Sequence, residues 1–281
     1  MSELNRAVTD MSSEEYHALD RLSSGGVKQM LRSPAHFRAW KDTPQAPTAA
    51  MMFGTAVHTM TLEPSTVAQR IAVMPADAPT RQSNAGKDWH LNFQREAAGK
   101  IILSADDYKR AARCASAVFA SPAWGLVSRN SGIVEASLLW MDMQSGVPCK
   151  ARPDLMSADG MVCFDLKTTA NAAREDFARQ LWNLRYDIQA AFYMDGMHAT
   201  NDVMPAHFVW ACVEVEPPHG VAWYRMGHSD LEIARADIHN AAYRYAQCKA
   251  TDTWPGYPDA VQEIRLPAWA RGKREPSQTE F

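Results

Sequence analysis

The chain reads as an α/β fold, a sandwich in which helices flank a mixed central β-sheet, and three observations carry that expectation. Helical and extended patterns follow one another as helices, three strands, a long helix, two strands and a final helix, an order that builds layered α/β architecture. Two β-rich runs, 146–156 and 161–169, flank the turn-forming Ser157-Ala158-Asp159-Gly160 and read as one hairpin. No apolar run approaches the roughly eighteen residues that a membrane span needs, so the 46% hydrophobic content belongs to a core.

Taken in order, residues 1–19 are polar and unpatterned and are expected to form a flexible arm, 20–265 a single domain, and 266–281 a tail. In 22–31, Ser23 and Ser24 open a helix that Ser33-Pro34 stops, since a hydroxyl caps free amides and proline cannot continue a helix. A second helix covers 51–60, with Gly54 and His58 four residues apart on one face; the glycine permits close approach to another element and the histidine offers a ring nitrogen there. The stretch 75–99, with its Pro, Asn and Gly, is expected as a long functional loop or flap carrying Arg81, Lys87, Trp89 and Arg95. Ser104 with Asp107 opens a helix to 120 through a variant capping box.

The run 133–140 is a predicted strand leading into the hairpin. Glu135 lies inside it, and a carboxylate there requires a cation, a set of hydrogen bonds or an exposed edge. Residues 174–198 form a predicted long amphipathic helix with Leu181, Leu184, Ile188 and Phe192 toward the core and Gln189 and Tyr193 on another face. Strands at 206–215 and 221–226 follow, then a helix opened by the capping box Ser229-Asp230-Leu231-Glu232 and running to about 250.

A formal charge of −3 and a pI near 6.3 exclude a protein that coats nucleic acid over its whole surface and leave room for a local basic groove. Arg21, Lys28, Arg32, Arg38 and Lys41, interleaved with Phe37 and Trp40 and free of acids, are candidates to line one, with Arg265, Arg271, Lys273 and Arg274 in the tail. A solvated helix face is the plainer account of such a run. Five scattered cysteines without Cys-x-x-Cys suggest neither a disulfide framework nor a thiolate metal site. The N-terminus leads into no signal-peptide apolar core, so a cytosolic protein is expected.

The hairpin carries the chemistry. With Met156 paired to Met161, Asp154 stands opposite Cys163, and the two-residue period puts Asp165 and Lys167 on the same face. The two carboxylates are then diagonal neighbours about 7–8 Å apart at the backbone, close enough to converge on one hard cation. Leu166 points the other way, into the core. An acid-x-Lys triplet alone is expected about once by chance among 32 acidic residues, and a salt-bridged surface hairpin would account for it. Its company argues otherwise: Pro153-Asp154 on the neighbouring strand and two spaced polar pairs on either side.

The set Gly54-x-x-x-His58, Glu135, Pro153-Asp154, Asp165-Leu166-Lys167 and Gln189-x-x-x-Tyr193 resembles the PD-(D/E)XK nuclease superfamily, in the branch of the RecB nuclease domain, lambda exonuclease and RecE. Leu22-Ser23-Ser24, Ser33-Pro34-Ala35-His36-Phe37, Phe53 to His58 and the approach to Pro153-Asp154 look most like the RecE (exodeoxyribonuclease VIII) domain. The resemblance covers roughly 20–250 and implies a mixed central sheet flanked by helices.

It implies further that Asp154, Asp165 and the Leu166 carbonyl hold Mg²⁺, with Mn²⁺ able to substitute, and that His58 is a ligand or supports one. Lys167 would orient the attacking water and steady charge on phosphate, Glu135 would be an auxiliary acid, and Gln189 and Tyr193 would hold Lys167 or DNA. Ser23, Ser24 and Lys28 are candidates for a 5′-phosphate pocket. The implied activity is 5′-to-3′ digestion of linear duplex DNA, leaving a 3′ single strand for a RecT-like annealing protein. A homo-oligomeric ring, a tetramer in preference to a trimer, in the cytoplasm of a prophage-bearing bacterium completes that picture. A structure-specific endonuclease or nickase, tested on closed circles, and an inactive DNA-binding scaffold are the alternatives.

Overall fold

The computed structural model describes residues 5–43, 46–128 and 132–266. The first part of the chain gives β1 (Arg6–Val8), α1 (Ser13–Ala18), α2 (Ser24–Arg32), α3 (Pro34–Asp42), α4 (Ala49–Leu62), α5 (Val67–Arg70) and β2 (Ile71–Met74). Then come α6 (Asn84–Glu96), β3 (Ile101–Ser104), α7 (Ala105–Ala120), α8 (Trp124–Ser128), β4 (Ile133–Val134), β5 (Ser137–Asp142), β6 (Val147–Ala151), β7 (Leu155–Met156) and β8 (Val162–Thr169). The chain continues through α9 (Arg174–Leu184), α10 (Tyr186–Asn201), β9 (His207–Glu214), β10 (Val221–Arg225) and α11 (His228–Thr251).

The main sheet runs β10-β9-β8-β7-β4, with β8 and β9 parallel and the other pairs antiparallel, so it is mixed. A second sheet, β1-β5-β6, and a parallel pair, β2-β3, stand apart from it. Alternation along β8 divides the core. Cys163 joins a cluster with Phe177, Ile188, Phe192 and Trp210 from α9, α10 and β9. Phe164 and Leu166 join a cluster with Phe53, Val57, Cys114 and Val118 from α4 and α7. The polar residues Asp165 and Lys167 therefore stand on the α10 face, and α4 packs on the other.

Hydroxyl caps set two helix starts as the sequence predicts, Ser23 accepting from the Gly26 amide and Ser104 from the Asp107 amide; Ser33-Pro34 ends α2 as expected but also opens α3, a helix beyond that expectation, with Ser33 as its cap and Pro34 in its first turn. All five cysteines are buried and free. Among the described residues no helix is long and apolar enough to cross a membrane.

Elsewhere the chain departs from the sequence expectations. The predicted strand 133–140 is two: β4 ends in the main sheet, Glu135 takes a left-handed φ of 49°, and β5 begins in the second sheet. The first hairpin strand breaks likewise at Arg152-Pro153, passing from β6 in the second sheet to β7 in the main one. The register differs by two residues, with Met156 opposite Cys163, because Ser157 pairs with Val162 (Ser157 N to Val162 O, 2.9 Å) and Met161 falls in the turn. A two-residue shift keeps every side chain on its predicted face.

The predicted helix over 174–198 is broken at Arg185, which is left-handed at φ 51°, and Leu184 is exposed. The expected flap contains α6, capped by Ser83 and carrying a Trp89–Phe93 stack, flanked by β2 and β3. The N-cap of α11 is Gly227, and no side chain caps it.

The stretch expected as a loose arm holds β1, paired to β5, and α1, closed by a capping box between Ser12 and Glu15. It is tied to β6 and the residues after it. Lys150 Nζ donates to the carbonyls of Tyr16 and Leu19 at 2.7 and 2.9 Å, and Arg152 Nη2 to those of Met11 and Ser12 at 3.0 and 3.1 Å. The tail residues Arg271, Lys273 and Arg274 lie outside the described residues.

Candidate active site

The crossings at Glu135 and at Arg152-Pro153 lie side by side, the Glu135 amide donating to the Asp154 carbonyl at 3.1 Å. One step beyond the Leu155–Phe164 pair, this brings Asp154 level with Asp165. Asp154 Oδ2 accepts the Leu166 amide at 2.7 Å and stands 3.3 Å from His58 Nδ1. His58 Nε2 lies 2.6 Å from the Leu166 carbonyl; a carbonyl only accepts, so this nitrogen carries the hydrogen. Gly54 eases the approach, since a Cβ there would make a tight contact of 3.3 Å with Thr168 Oγ1.

On the α10 side, Lys167 Nζ is 2.7 Å from Asp165 Oδ2. Gln189 joins the two residues, accepting from Lys167 at 3.1 Å and donating to Asp165 Oδ1 at 2.8 Å. Asp165 is 1% exposed, and its Oδ2 is buried with no hydrogen bond, only the ion pair to Lys167. Burial opposes the charge on Lys167, but the carboxylates of Asp165 and Asp154 outweigh it and hold the ammonium above its ordinary pKa. Burial raises the Asp154 carboxyl to about 6, with His58 pulling against the rise and Asp165 adding to it. Tyr193, behind Gln189, is kept neutral by burial.

These donors suit a hard divalent cation. The buried, unbonded Oδ2 of Asp165, the Asp154 carboxylate and the Leu166 carbonyl are all oxygens, the preferred ligands of such ions. The Leu166 oxygen is taken by His58, so a cation there requires His58 to turn away or to give up that hydrogen and bind as a ligand itself. Among the described residues no group of three or more His, Cys, Asp or Glu is already assembled for a metal.

Lys28 also reaches this site. It lies over the Tyr186 ring at 5.4 Å while Lys167 lies over the same ring at 4.5 Å. Burial and then the charge of Lys167 lower its pKa to about 8. Ser23 spends its hydroxyl on capping α2, and Ser24 is buried at the helix start. The Glu135 carboxylate makes no hydrogen bond or ion pair among the described residues, and its backbone amide is bonded to the Asp154 carbonyl.

Two of the five cations expected to line a basic groove are paired with acids, and a third is turned to backbone carbonyls. Arg21 donates to the Trp140 and Cys149 carbonyls, Arg38 pairs with Asp42, and Lys41 pairs with Asp20. The two acids flank the acid-free window that defined the stripe. Tyr186 is the residue that sequence reasoning missed; its spacing of three from Gln189 and seven from Tyr193 on one helix was the available signal.

Fold and site together define a nuclease-like α/β protein of the PD-(D/E)XK type. The chain belongs to the family described as a PDDEXK-like domain of unknown function (DUF3799), whose model matches residues 23–267. Among solved structures it is similar to one from Eubacterium rectale named "putative exonuclease", with 14% identity, a TM-score of 0.64, and coverage of 94% of this chain and 98% of that one. At that identity the likeness is one of fold. A second structure, SSO0001, aligns over 53% of this chain and 68% of its own at 16% identity, and its TM-score of 0.27 is too low to define a shared fold. No curated protein matches the chain.

Proposed function

We propose that the chain hydrolyses DNA phosphodiesters with a divalent metal, Mg²⁺ or in substitution Mn²⁺, as a RecE-like 5′-to-3′ exonuclease on linear duplex. It releases 5′-mononucleotides and leaves 3′ overhangs. The observation that supports this is the side-by-side Asp154 and Asp165, with Lys167 held against Asp165 by Gln189. When bound, the cation polarises the phosphodiester and makes a nearby water more acidic. Asp154, Asp165 and the Leu166 carbonyl would hold it, with His58 as a ligand or as the group that orients them.

Lys167 acts as an ammonium. It steadies charge developing on the phosphate and positions the attacking water, because the adjoining carboxylates oppose its release of a proton. Gln189 fixes the angle between Lys167 and Asp165, and Tyr193 supports Gln189. Glu135, whose backbone is bonded to that of Asp154, serves as an auxiliary acid. Lys28, with Ser23 and Ser24 at the start of α2, receives the terminal 5′-phosphate. A homo-oligomeric ring, tetramer before trimer, would keep such an enzyme on DNA ends, and a RecT-like annealing protein would take the 3′ strand; a prophage-bearing bacterial cytoplasm is the setting.

The test is digestion of linear duplex labelled at each strand end in turn, with and without Mg²⁺. Mg²⁺-dependent release of mononucleotides from 5′-phosphorylated ends is the expected result. Equal digestion of covalently closed circles would refute an exonuclease and favour a nickase.

A further inference from the structure

Next to the catalytic face, a cavity of about 380 Å³ opens between α9, β10 and the start of α11. Its floor is aromatic: Trp210, Phe177 and Tyr224 line it, with Phe177 and Tyr224 stacked at 5.1 Å. Trp210 is fully buried, yet its indole N–H makes no hydrogen bond, a costly omission for a buried donor. Arg174 and Arg225 stand at the mouth, both exposed, and neither forms an ion pair among the described residues.

The rim carries Trp182, which is 66% exposed. The Arg185 guanidinium covers it at 5.3 Å, and Arg185 is itself anchored to Asp187 at 2.9 Å and Asp237 at 2.6 Å. An exposed indole offers a π-face on which a base can stack. Two acids also line the cavity: Asp187 is held by Arg185, and Asp230 forms no ion pair among the described residues, so Arg174 and Arg225 are its two arginines free to meet an anion.

The cavity adjoins the site. Trp210 is the register partner of Asp165 across the parallel β8–β9 pair. Asp187 follows Tyr186, whose ring lies under Lys167 and Lys28.

We infer that this cavity binds one unpaired nucleotide of a DNA single strand, the base against Trp182 and the aromatic floor and the phosphate on Arg174 and Arg225. The assignment of the strand as DNA rests on the nuclease reading above; the stacking and phosphate chemistry do not. The cavity would grip the strand that is leaving or entering the neighbouring site.

The experiment measures fluorescence anisotropy of a labelled dT12 oligonucleotide in EDTA, beside metal-dependent turnover of the p-nitrophenyl ester of thymidine 5′-monophosphate, on the full chain. Trp182→Ala and the double variant Arg174→Ala/Arg225→Ala are expected to weaken dT12 binding about tenfold or more. Trp182→Phe should stay within about threefold of wild type, because a stacking face remains. Ester turnover should be unchanged in all three variants, and thymidine 5′-monophosphate should compete poorly with dT12.

Unchanged dT12 binding in Trp182→Ala, with or without a change in oligomeric state, overturns the inference. Displacement of dT12 by the mononucleotide at equal concentration overturns the strand assignment. A wild-type chain that digests no linear duplex with Mg²⁺ yet binds dT12 through Trp182 sinks the nuclease reading and leaves the cavity's role supported.

Discussion

Replacing Lys167 with methionine removes the cation paired with the buried Asp165 and near the half-buried Asp154, and nothing else of comparable size. The ammonium sits 2.7 Å from Asp165, which is 1% exposed, and Asp154 lies level with it on the neighbouring strand. Breaking a buried ion pair from one side costs about 3–5 kcal/mol. Lys167 keeps 16% of its side chain in solvent, so the lower end, about 3 kcal/mol, applies. At about 2–4 °C per kcal/mol for a chain of this order of size, the melting midpoint in EDTA should fall by about 6–12 °C.

Asp165→Asn should cost less, because Lys167 keeps Asp154 as a partner and the repulsion between the carboxylates disappears. The deficit of Lys167→Met also has a pH signature. The Asp154 pKa, about 6, is raised above its unfolded value, so protonation stabilises the fold at low pH and that contribution is lost as pH rises through about 6. Without the ammonium the two carboxylates can share a proton, so the loss should be smaller at pH 5 than at pH 8. Added Mg²⁺ should recover part of it, about 2.7 kcal/mol at a hundredfold excess over the dissociation constant. Thermal unfolding of both variants, with EDTA and with Mg²⁺, is the assay. A Lys167→Met midpoint equal to wild type in EDTA, or a larger loss in Asp165→Asn, would refute the geometry.

Other outcomes follow from the same contacts. Asp165→Ala should abolish turnover of linear duplex while far-ultraviolet circular dichroism stays native, and retained activity would move the metal site elsewhere. The Lys28 pKa is depressed to about 8, so its charge fades as pH rises through that value; the preference for 5′-phosphate over 5′-hydroxyl ends should decline between pH 7 and 9 in wild type and persist in Lys28→Arg. A Cβ at Gly196 would lie 2.8 Å from Trp140 Cζ3 in the core behind α10; Gly196→Ala should therefore destabilise by about 1–3 kcal/mol in urea unfolding.

The layered architecture and the clustering of Asp154, Asp165 and Lys167 were legible because they rest on short-range rules. Strand alternation assigns faces, and a register error of two residues leaves those faces intact. The breaks were not legible. Glu135 and Arg185 are ordinary residues in apolar or amphipathic runs, and their left-handed backbone is imposed by strands that change sheets and by the Arg185–Asp187–Asp237 pairing. Lys28 was legible as a candidate phosphate ligand, but its meeting with Lys167 over Tyr186 depends on α2 crossing α10, a contact between residues far apart in sequence. Of the basic stripe, Arg38 and Lys41 pair with Asp42 and Asp20, which lie one residue beyond its two ends, so an acid-free window in sequence is not acid-free in space.

The anchoring of Lys150 and Arg152 to the carbonyls of Met11, Ser12, Tyr16 and Leu19 makes residues 11–19 part of the scaffold that aims Asp154. The family match begins only at residue 23. A shortened protein trimmed to that boundary would keep every acidic and basic group of the site, yet release the rope that steadies one of its two carboxylates.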